Sequence, residues 1–320
     1  MRKCKMIHTF SGLKEILGLA DKVIQSVQSE KRGRKRLVGP GRKREYDPAF
    51  FVLLMIVKGL FGVSNNRLAR LLNRGDIPLP ERYRSYKPTR KTLDRNLCLS
   101  CKEVRSFWER FVKALVSLVG GGGIVIVDST SIEASTRRDR YARSGRTTVG
   151  WFFGYKGHIL IVASGFPVAS FASTGNVHDS RFLLKMAAKA RRMFRRRIYL
   201  LGDGAYDGEE LFMGLVQMDV EPFVALNPHR SKDSPYTPRT PMRRRVAESL
   251  ANPFNEPLKA IRRRVEQFNA FLKGFLRAGK LPWWVRGVRR TGEFLRNAMA
   301  AALAVMFTNM WNANPLMGWN

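Results

Sequence analysis

The sequence predicts an amino-terminal all-helical module followed by a layered α/β domain. Three observations carry that reading. From Asp47 to about residue 115, apolar residues recur at helical spacing between turn and cap signals. The run Gly120-Gly121-Gly122-Gly123 then interrupts the chain. Beyond it, short β-rich runs alternate with amphipathic segments, the texture of a layered α/β fold. The expected divisions are a basic arm over 1–46, a helical module over 47–119 and the α/β domain over 124–320. At 320 residues and 44% hydrophobic, the chain can bury a sizeable core.

In the arm, one helix is expected over Ser11 to Gln28. It is followed by Lys31-Arg32-Gly33-Arg34-Lys35-Arg36 and Gly39-Pro40-Gly41-Arg42-Lys43-Arg44. Such a run is either a solvated linker or an arm lying along a phosphate backbone. Asp47-Pro48 caps and starts a helix over Ala49 to Leu60, and Gly62-Val63-Ser64 turns the chain into a second, Asn65 to Asn73. That helix has Leu68, Leu71 and Leu72 on its apolar side and carries Arg67, Arg70 and Arg74. A third, starting near Thr89, carries Arg90, Lys91 and Arg95. Short helices with a glycine turn and basic later members resemble a helix-turn-helix array, which makes Arg67, Arg70, Arg90, Lys91 and Arg95 candidate DNA contacts.

In the α/β domain, strands are expected at Ile124–Val127, His158–Ala163, Val168–Ala172, Ile198–Leu201 and Glu221–Leu226. Amphipathic segments lie over Ser180–Met193 and Asp207–Met218. Residues 233–255, with their prolines and Arg243-Arg244-Arg245, read as a basic loop. A long helix from Pro257 to Leu276 and an apolar helix from Glu293 to Met310 close the pattern.

Lys and Arg outnumber Asp and Glu by 58 to 25, for a formal charge of +33. Such an excess says little about fold, but it selects a polyanionic partner. The longest apolar runs, Phe50–Val57 and Ala298–Phe307, fall well short of the roughly 20 residues that a bilayer requires, so no membrane partner is expected. The amino terminus is basic without an uninterrupted apolar core, so no secretory signal is read there. Three cysteines make no disulfide framework, and Cys98-Leu99-Ser100-Cys101 reads as two small residues near a helix end.

Against this basic background, three acidic residues stand at places suited to metal ligation. Asp128 ends the apolar run Ile124–Val127, and Asp203 ends Ile198–Gly202; each is expected at a strand end leading into a turn. Ligands of open α/β sheets gather at such strand ends, and adjacent strands are about 4.8 Å apart, close enough for two aspartates to share cations. On the long helix, Ile261, Val265, Phe268 and Leu272 form the core stripe. Arg262, Glu266 and Lys273 share a second stripe about 100° away, where a carboxylate flanked by cations suits a metal-bound phosphate. Few carboxylates, several waters and a substrate phosphate are what Mg²⁺ prefers. The plain alternatives are a turn cap at Asp128, a helix cap at Asp203 and a surface ion pair at Glu266.

These residues also carry a family resemblance. Ile126-Val127-Asp128-Ser129-Thr130 resembles the first catalytic block of insertion-sequence transposases of the DDE superfamily, and Gly202-Asp203-Gly204-Ala205-Tyr206-Asp207 resembles the second. In the third block the family pattern is Tyr-x2-Arg-x3-Glu-x6-Lys; Arg262, Glu266 and Lys273 fit it, whereas Lys259 stands at the Tyr position. Gly154-Tyr155-Lys156-Gly157-His158 and Thr174–Ser180 match as well, so the resemblance extends over about 124–280, with a weaker likeness over 47–115.

The resemblance implies a ribonuclease-H-like, mixed-sheet catalytic domain, with Asp128, Asp203 and Glu266 holding two Mg²⁺ or Mn²⁺ ions while Arg262 and Lys273 neutralise phosphate oxygens. It implies that terminal inverted repeats are bound by the helical module, cleaved at the element ends and joined to target DNA by phosphoryl transfer. It further implies a homodimer or larger synaptic assembly on double-stranded DNA, and a cytoplasmic, nucleoid-associated location. Two other readings stay open: a structure-specific nuclease without strand transfer, and an inactive or domesticated copy that only binds DNA, the reading that Lys259 favours. His178-Asp179 either contacts DNA or orders the site, or Asp179-Ser180 caps the following helix, the reading preferred here. Trp283-Trp284, beside Arg286, Arg289 and Arg290, either engages a base or fills the core, and the core is preferred.

Overall fold

A computed structural model describes residues 10–29, 45–97, 102–120, 123–147, 150–194, 197–227, 238–275 and 279–313. The basic runs within 31–44 and the Cys98/Cys101 pair lie outside them. The chain divides into two compact units, one formed by 1–118 with 296–320, the other by 119–295. The sequence places 296–320 with the α/β domain; in the structure the described part of this segment, 296–313, clusters with the amino-terminal helices.

In the first unit, α1 (Phe10–Ser29) precedes α2 (Pro48–Phe61), α3 (Asn65–Arg74), α4 (Arg90–Leu97) and α5 (Lys102–Val119). Asp47 accepts from the Ala49 N–H and Pro48 occupies the first turn, so α2 begins where its cap signals place it. Every residue from Ala49 to Gly59 is buried, which is why this helix is apolar all round. At Gly59 a Cβ would lie 2.0 Å from the Asn297 carbonyl oxygen, and only glycine allows that helix so close. No single described helix is long and apolar enough to cross a membrane. Gly62, in the left-handed region at φ 58°, ends α2, and Ser64 caps α3 through the Arg67 N–H. Across this break α2 and α3 are bent by 110°, the angle of a helix-turn-helix pair. Leu68 and Leu72 pin α3 to the core, and Asn65 donates to Asp94 of α4 at 2.7 Å.

The second unit is a six-stranded mixed sheet: β1 (Ile124–Glu133), β2 (Arg143–Thr147), β3 (Gly150–Val162), β4 (Pro167–Thr174), β5 (Ile198–Gly202) and β6 (Val220–Val224). Its order is β2-β3-β1-β5-β6, with β4 on the same edge of β3 as β2. β1, β3 and β4 pair antiparallel, whereas β5 and β6 run parallel to β1. Three antiparallel strands followed by two parallel ones through helices is the ribonuclease-H-like arrangement. α6 (Leu183–Met193) connects β4 to β5, and α7 (Glu209–Gln217) connects β5 to β6. α8 (Pro241–Ala251), α9 (Glu256–Phe275) and the start of α10 (Val288–Ala313) follow.

Three local expectations are corrected. β1 does not end at Asp128 but runs on to Glu133, because Ser129–Glu133 continue the antiparallel ladder opposite residues 158–154 and bury Thr130 and Ile132. β2 was not expected; its Arg-Ser-Gly-Arg-Thr sequence has no apolar alternation because it is an edge strand. The expected loop at 233–255 contains α8, which starts at Pro241 and takes its N-terminal acceptors from another helix. Glu209 accepts from the Met242 and Arg243 N–H groups and from the Thr240 hydroxyl.

Candidate active site

Adjacent parallel strands bring two carboxylates together. Ile126 of β1 pairs with Leu201 of β5, so Asp128 and Asp203, each two residues further on, stand at the same level. Asp128 is fixed at both oxygens, accepting from its neighbour Ser129 N–H at 2.8 Å and from the Asn269 side-chain amide of α9 at 2.7 Å. Asp203 accepts from the Ala205 N–H at 3.1 Å and caps the turn at Gly204–Tyr206. Burial raises the Asp128 pKa to about 7, the nearby Asp203 and Asp179 charges adding to the rise while the Ser129 N–H and Arg262 oppose it. Burial raises Asp203 as well, with Asp179 adding and the Ala205 N–H and Arg262 opposing. Two desolvated carboxylates side by side are costly unless protons or cations neutralise them.

α9 lies over this pair. Val265, Phe268 and Leu272 bury its core stripe, with Ile261 at the margin. The second stripe presents Arg262, whose charge reaches both aspartates, and Asn269. Glu266 lies between them, with a side chain 61% exposed and an oxygen 3.6 Å from Arg262. Lys273 is exposed, and Lys259 pairs with Glu256 at 2.8 Å. Of the expected acidic triad, the structure brings Asp128 and Asp203 together and leaves Glu266 turned to solvent. Among the described residues, no three His, Cys, Asp and Glu side chains lie close enough together to hold a metal ion. The donors present are carboxylate oxygens, which suit Mg²⁺ or Mn²⁺ supplemented by water and phosphate rather than a softer metal.

Four more groups stand at the site: Asp179, which the sequence reading preferred as a cap, and His158, Tyr206 and Asn269, to which it gave no role. Asp179 is not a helix cap, since His178 takes that place by accepting from the Ser180 N–H. Asp179 instead takes an ion pair from Lys156 at 3.0 Å and lies 3.8 Å from Nδ1 of His158. His158 is fully buried, stacked on Phe182 at 4.0 Å and bonded through Nε2 to Ser173 at 2.8 Å; burial lowers its pKa to about 4, so the ring is neutral. The buried Tyr206 hydroxyl has no hydrogen-bond partner among the described residues, and burial, with the charges of Asp179, Asp128 and Asp203, raises its pKa. Asn269 was one step from view, three residues after Glu266 and four before Lys273 on their shared stripe.

Behind the site, Arg243 of α8 makes a bidentate pair with the fully buried Asp207, at 2.9 and 2.8 Å. The Trp283-Trp284 pair divides: Trp284 packs edge-on to Phe294, whereas Trp283 is 74% exposed. The candidate DNA contacts Arg67 and Arg70 of α3 and Arg90, Lys91 and Arg95 of α4 are all exposed; Arg90 lies 3.4 Å from Asp94.

The family model described as transposase DDE domain matches residues 120–303. No curated protein matches the chain. Among solved structures, a piggyBac transposase in a synaptic complex with hairpin DNA aligns over 98% of this chain and 78% of its own, at 10% identity and a TM-score of 0.41. With more than half its length in the family match, including both adjacent aspartates and the helix that covers them, the chain belongs to the transposase DDE domain family.

Proposed function

We propose that this chain cleaves the ends of its own element and joins them to target DNA by phosphoryl transfer, with Asp128 and Asp203 at the reacting centre. One observation carries the reading: two half-buried carboxylates are held at one level by parallel strands of a chain with +33 formal charge. Such a pair has little use in a protein that merely coats DNA. It is the donor set for divalent cations at a phosphodiester.

Asp128, Asp203 and Glu266 would hold one or two Mg²⁺ or Mn²⁺ ions. A bound cation there would polarise a phosphate oxygen and make attack by water or a DNA 3′-hydroxyl easier. The protein's own residues do the rest. Asn269 and the Ser129 N–H fix the Asp128 oxygens, so the ligand does not reorganise as charge develops. Arg262 and Lys273 supply positive charge to phosphate oxygens from the α9 side. The ion pair from Lys156 holds Asp179 beside the aspartates. In the amino-terminal unit, α3 would enter a groove of the terminal repeat with Arg67 and Arg70, while Arg90, Lys91 and Arg95 of α4 contact phosphates. Holding two ends together implies at least a dimer on DNA.

The test is metal-dependent nicking of duplex carrying the ends that flank this gene, comparing the unaltered protein with Asp203→Asn and Glu266→Gln. Cleavage at one position with Mg²⁺, lost in both variants while DNA binding persists, is the expected result. Binding without cleavage by the unaltered protein would leave a DNA-binding copy, and cleavage by Asp203→Asn would remove that residue from the centre.

A further inference from the structure

The sheet face that bears Asp128 continues well beyond it. Residues directly opposite in an antiparallel ladder point to the same face, and side chains alternate along a strand. Asp128 pairs with Ile159, so that face includes Gly157, Tyr155, Phe153 and Trp151 of β3. Opposite Trp151 stands Arg146 of β2, on the same face. Trp151 is 75% exposed and Arg146 is exposed. An aromatic ring of that size left in water beside an arginine on a two-stranded ribbon has no structural use within this unit.

The surroundings share that character. The loop between β1 and β2 carries Arg137, Arg138 and Arg140, all exposed, and Tyr141, 47% exposed with the Arg140 guanidinium 4.8 Å from its ring centre. The acid of this loop, Asp139, is withdrawn: it is 2% exposed and accepts from the Tyr155 hydroxyl at 2.7 Å. The same hydroxyl accepts from the Gly287 N–H at 2.8 Å, and the segment before it is tied to the end of β1, where Leu281 N–H donates to Glu133. Tyr155 therefore anchors the 279–287 segment over this face, and that segment presents the exposed Trp283 and Arg286.

We infer that this far end of the sheet, formed by the β2–β3 ribbon, the 137–141 loop and the 283–286 segment, is a contact surface for duplex DNA that extends from the reacting centre. Arginines neutralise phosphates and the aromatic rings pack on sugars or the edges of bases. The charge complementarity selects DNA over an apolar protein partner, because exposed cations flank each exposed ring. From Ile159 to Trp151 is eight residues of β3, about 27 Å at the rise of an antiparallel strand. At about 3.4 Å per base pair, the ribbon meets the duplex about eight base pairs from the phosphate at Asp128.

The spacing rests on the proposed centre, but the contact itself can be read without cleavage. A photo-crosslinking amino acid at position 151, in the otherwise unaltered full chain without divalent metal, would be irradiated on duplex carrying the element end. The crosslink is expected about eight base pairs from the cleaved phosphate. In parallel, Arg146→Ala with Arg286→Ala should reduce the slope of log binding constant against log salt by about 1.8, two phosphate contacts at about 0.9 each. Both side chains are exposed, so a melting temperature equal to that of the unaltered protein confirms the fold. Absence of the crosslink together with an unchanged slope overturns the inference, and site-specific Mg²⁺ cleavage in that case leaves the proposed centre standing. A crosslink and a reduced slope in a protein that never cleaves support the surface and remove the centre. A crosslink adjacent to the cleaved phosphate overturns the spacing.

Discussion

Replacing Asp128 with asparagine should stabilise the metal-free protein at alkaline pH while abolishing cleavage. The folded-state pKa of about 7 stands roughly three units above the ordinary carboxyl value of 3.8. At about 1.36 kcal/mol per unit, ionised Asp128 costs the fold about 4 kcal/mol at most. The sign follows from the direction of the shift. Below the unfolded pKa both states are protonated and the cost is absent; it develops as pH rises and is fully present above about 7.

An amide at this position loses the charge but keeps the hydrogen bonds. Its oxygen can accept from the Ser129 N–H, and Asn269, whose own carbonyl oxygen is buried without a partner, can turn to accept from the new amide. Chemical or thermal unfolding should therefore show Asp128→Asn more stable by about 1–3 kcal/mol at pH 8, a rise of about 2–4 °C per kcal/mol. The difference should narrow as pH falls and close only near pH 4, around the unfolded-state value. Mg²⁺ or Mn²⁺ should raise the melting temperature of the unaltered protein at pH 8 more than that of the variant, in which Asp203 remains but the Asp128 charge is gone. A variant less stable than the parent at both pH values would refute the electrostatic account, and a pH-independent gain would show that packing, not charge, separates them.

Asn269→Ala should retain the fold and DNA binding but lower the cleavage rate about 10- to 100-fold and raise the metal concentration needed for half-maximal rate, as loss of a group that orients a ligand does. An unchanged metal dependence would make Asn269 structural only. Arg243→Ala should be among the most damaging changes away from the centre, costing about 3–5 kcal/mol because the fully buried Asp207, though it keeps the Asn227 N–H, loses its charged partner. Denaturant unfolding reads this directly, and Arg243→Ala combined with Asp207→Asn should recover part of the loss; a double variant as unstable as the single one would contradict the ion-pair explanation.

What the sequence made legible follows from how far each signal reaches along the chain. The helix cap at Asp47-Pro48, the turn at Gly62–Ser64 and the α9 stripe are local, since each depends on residues within two turns of one another. The expected strands near Asp128 and Asp203 were legible from their apolar runs. The true end of β1 was not, because Ser129-Thr130-Ser131 become strand only by pairing with β3. α8 was hidden for the same kind of reason: its cap is Glu209, more than thirty residues earlier. Asn269 and Asp179 were present in the quoted motifs but had no assigned partner, since Asp128 lies 141 residues from Asn269 in the chain and Lys156 lies 23 from Asp179.

Glu266 shows the converse limit. Its spacing from Arg262 and Lys273 places it with the aspartates, yet the structure pairs it with Arg262 in solvent. The physics of the pair at Asp128 and Asp203 accounts for this. With both carboxylates partly desolvated and raised in pKa, a third approaching anion would add repulsion that only a cation removes, and the half-exposed Arg262 one turn away offers it a better partner. In the proposed reading, closure of the acidic triad would be coupled to the cation it holds, and the same repulsion underlies the pH-dependent instability expected of the metal-free protein.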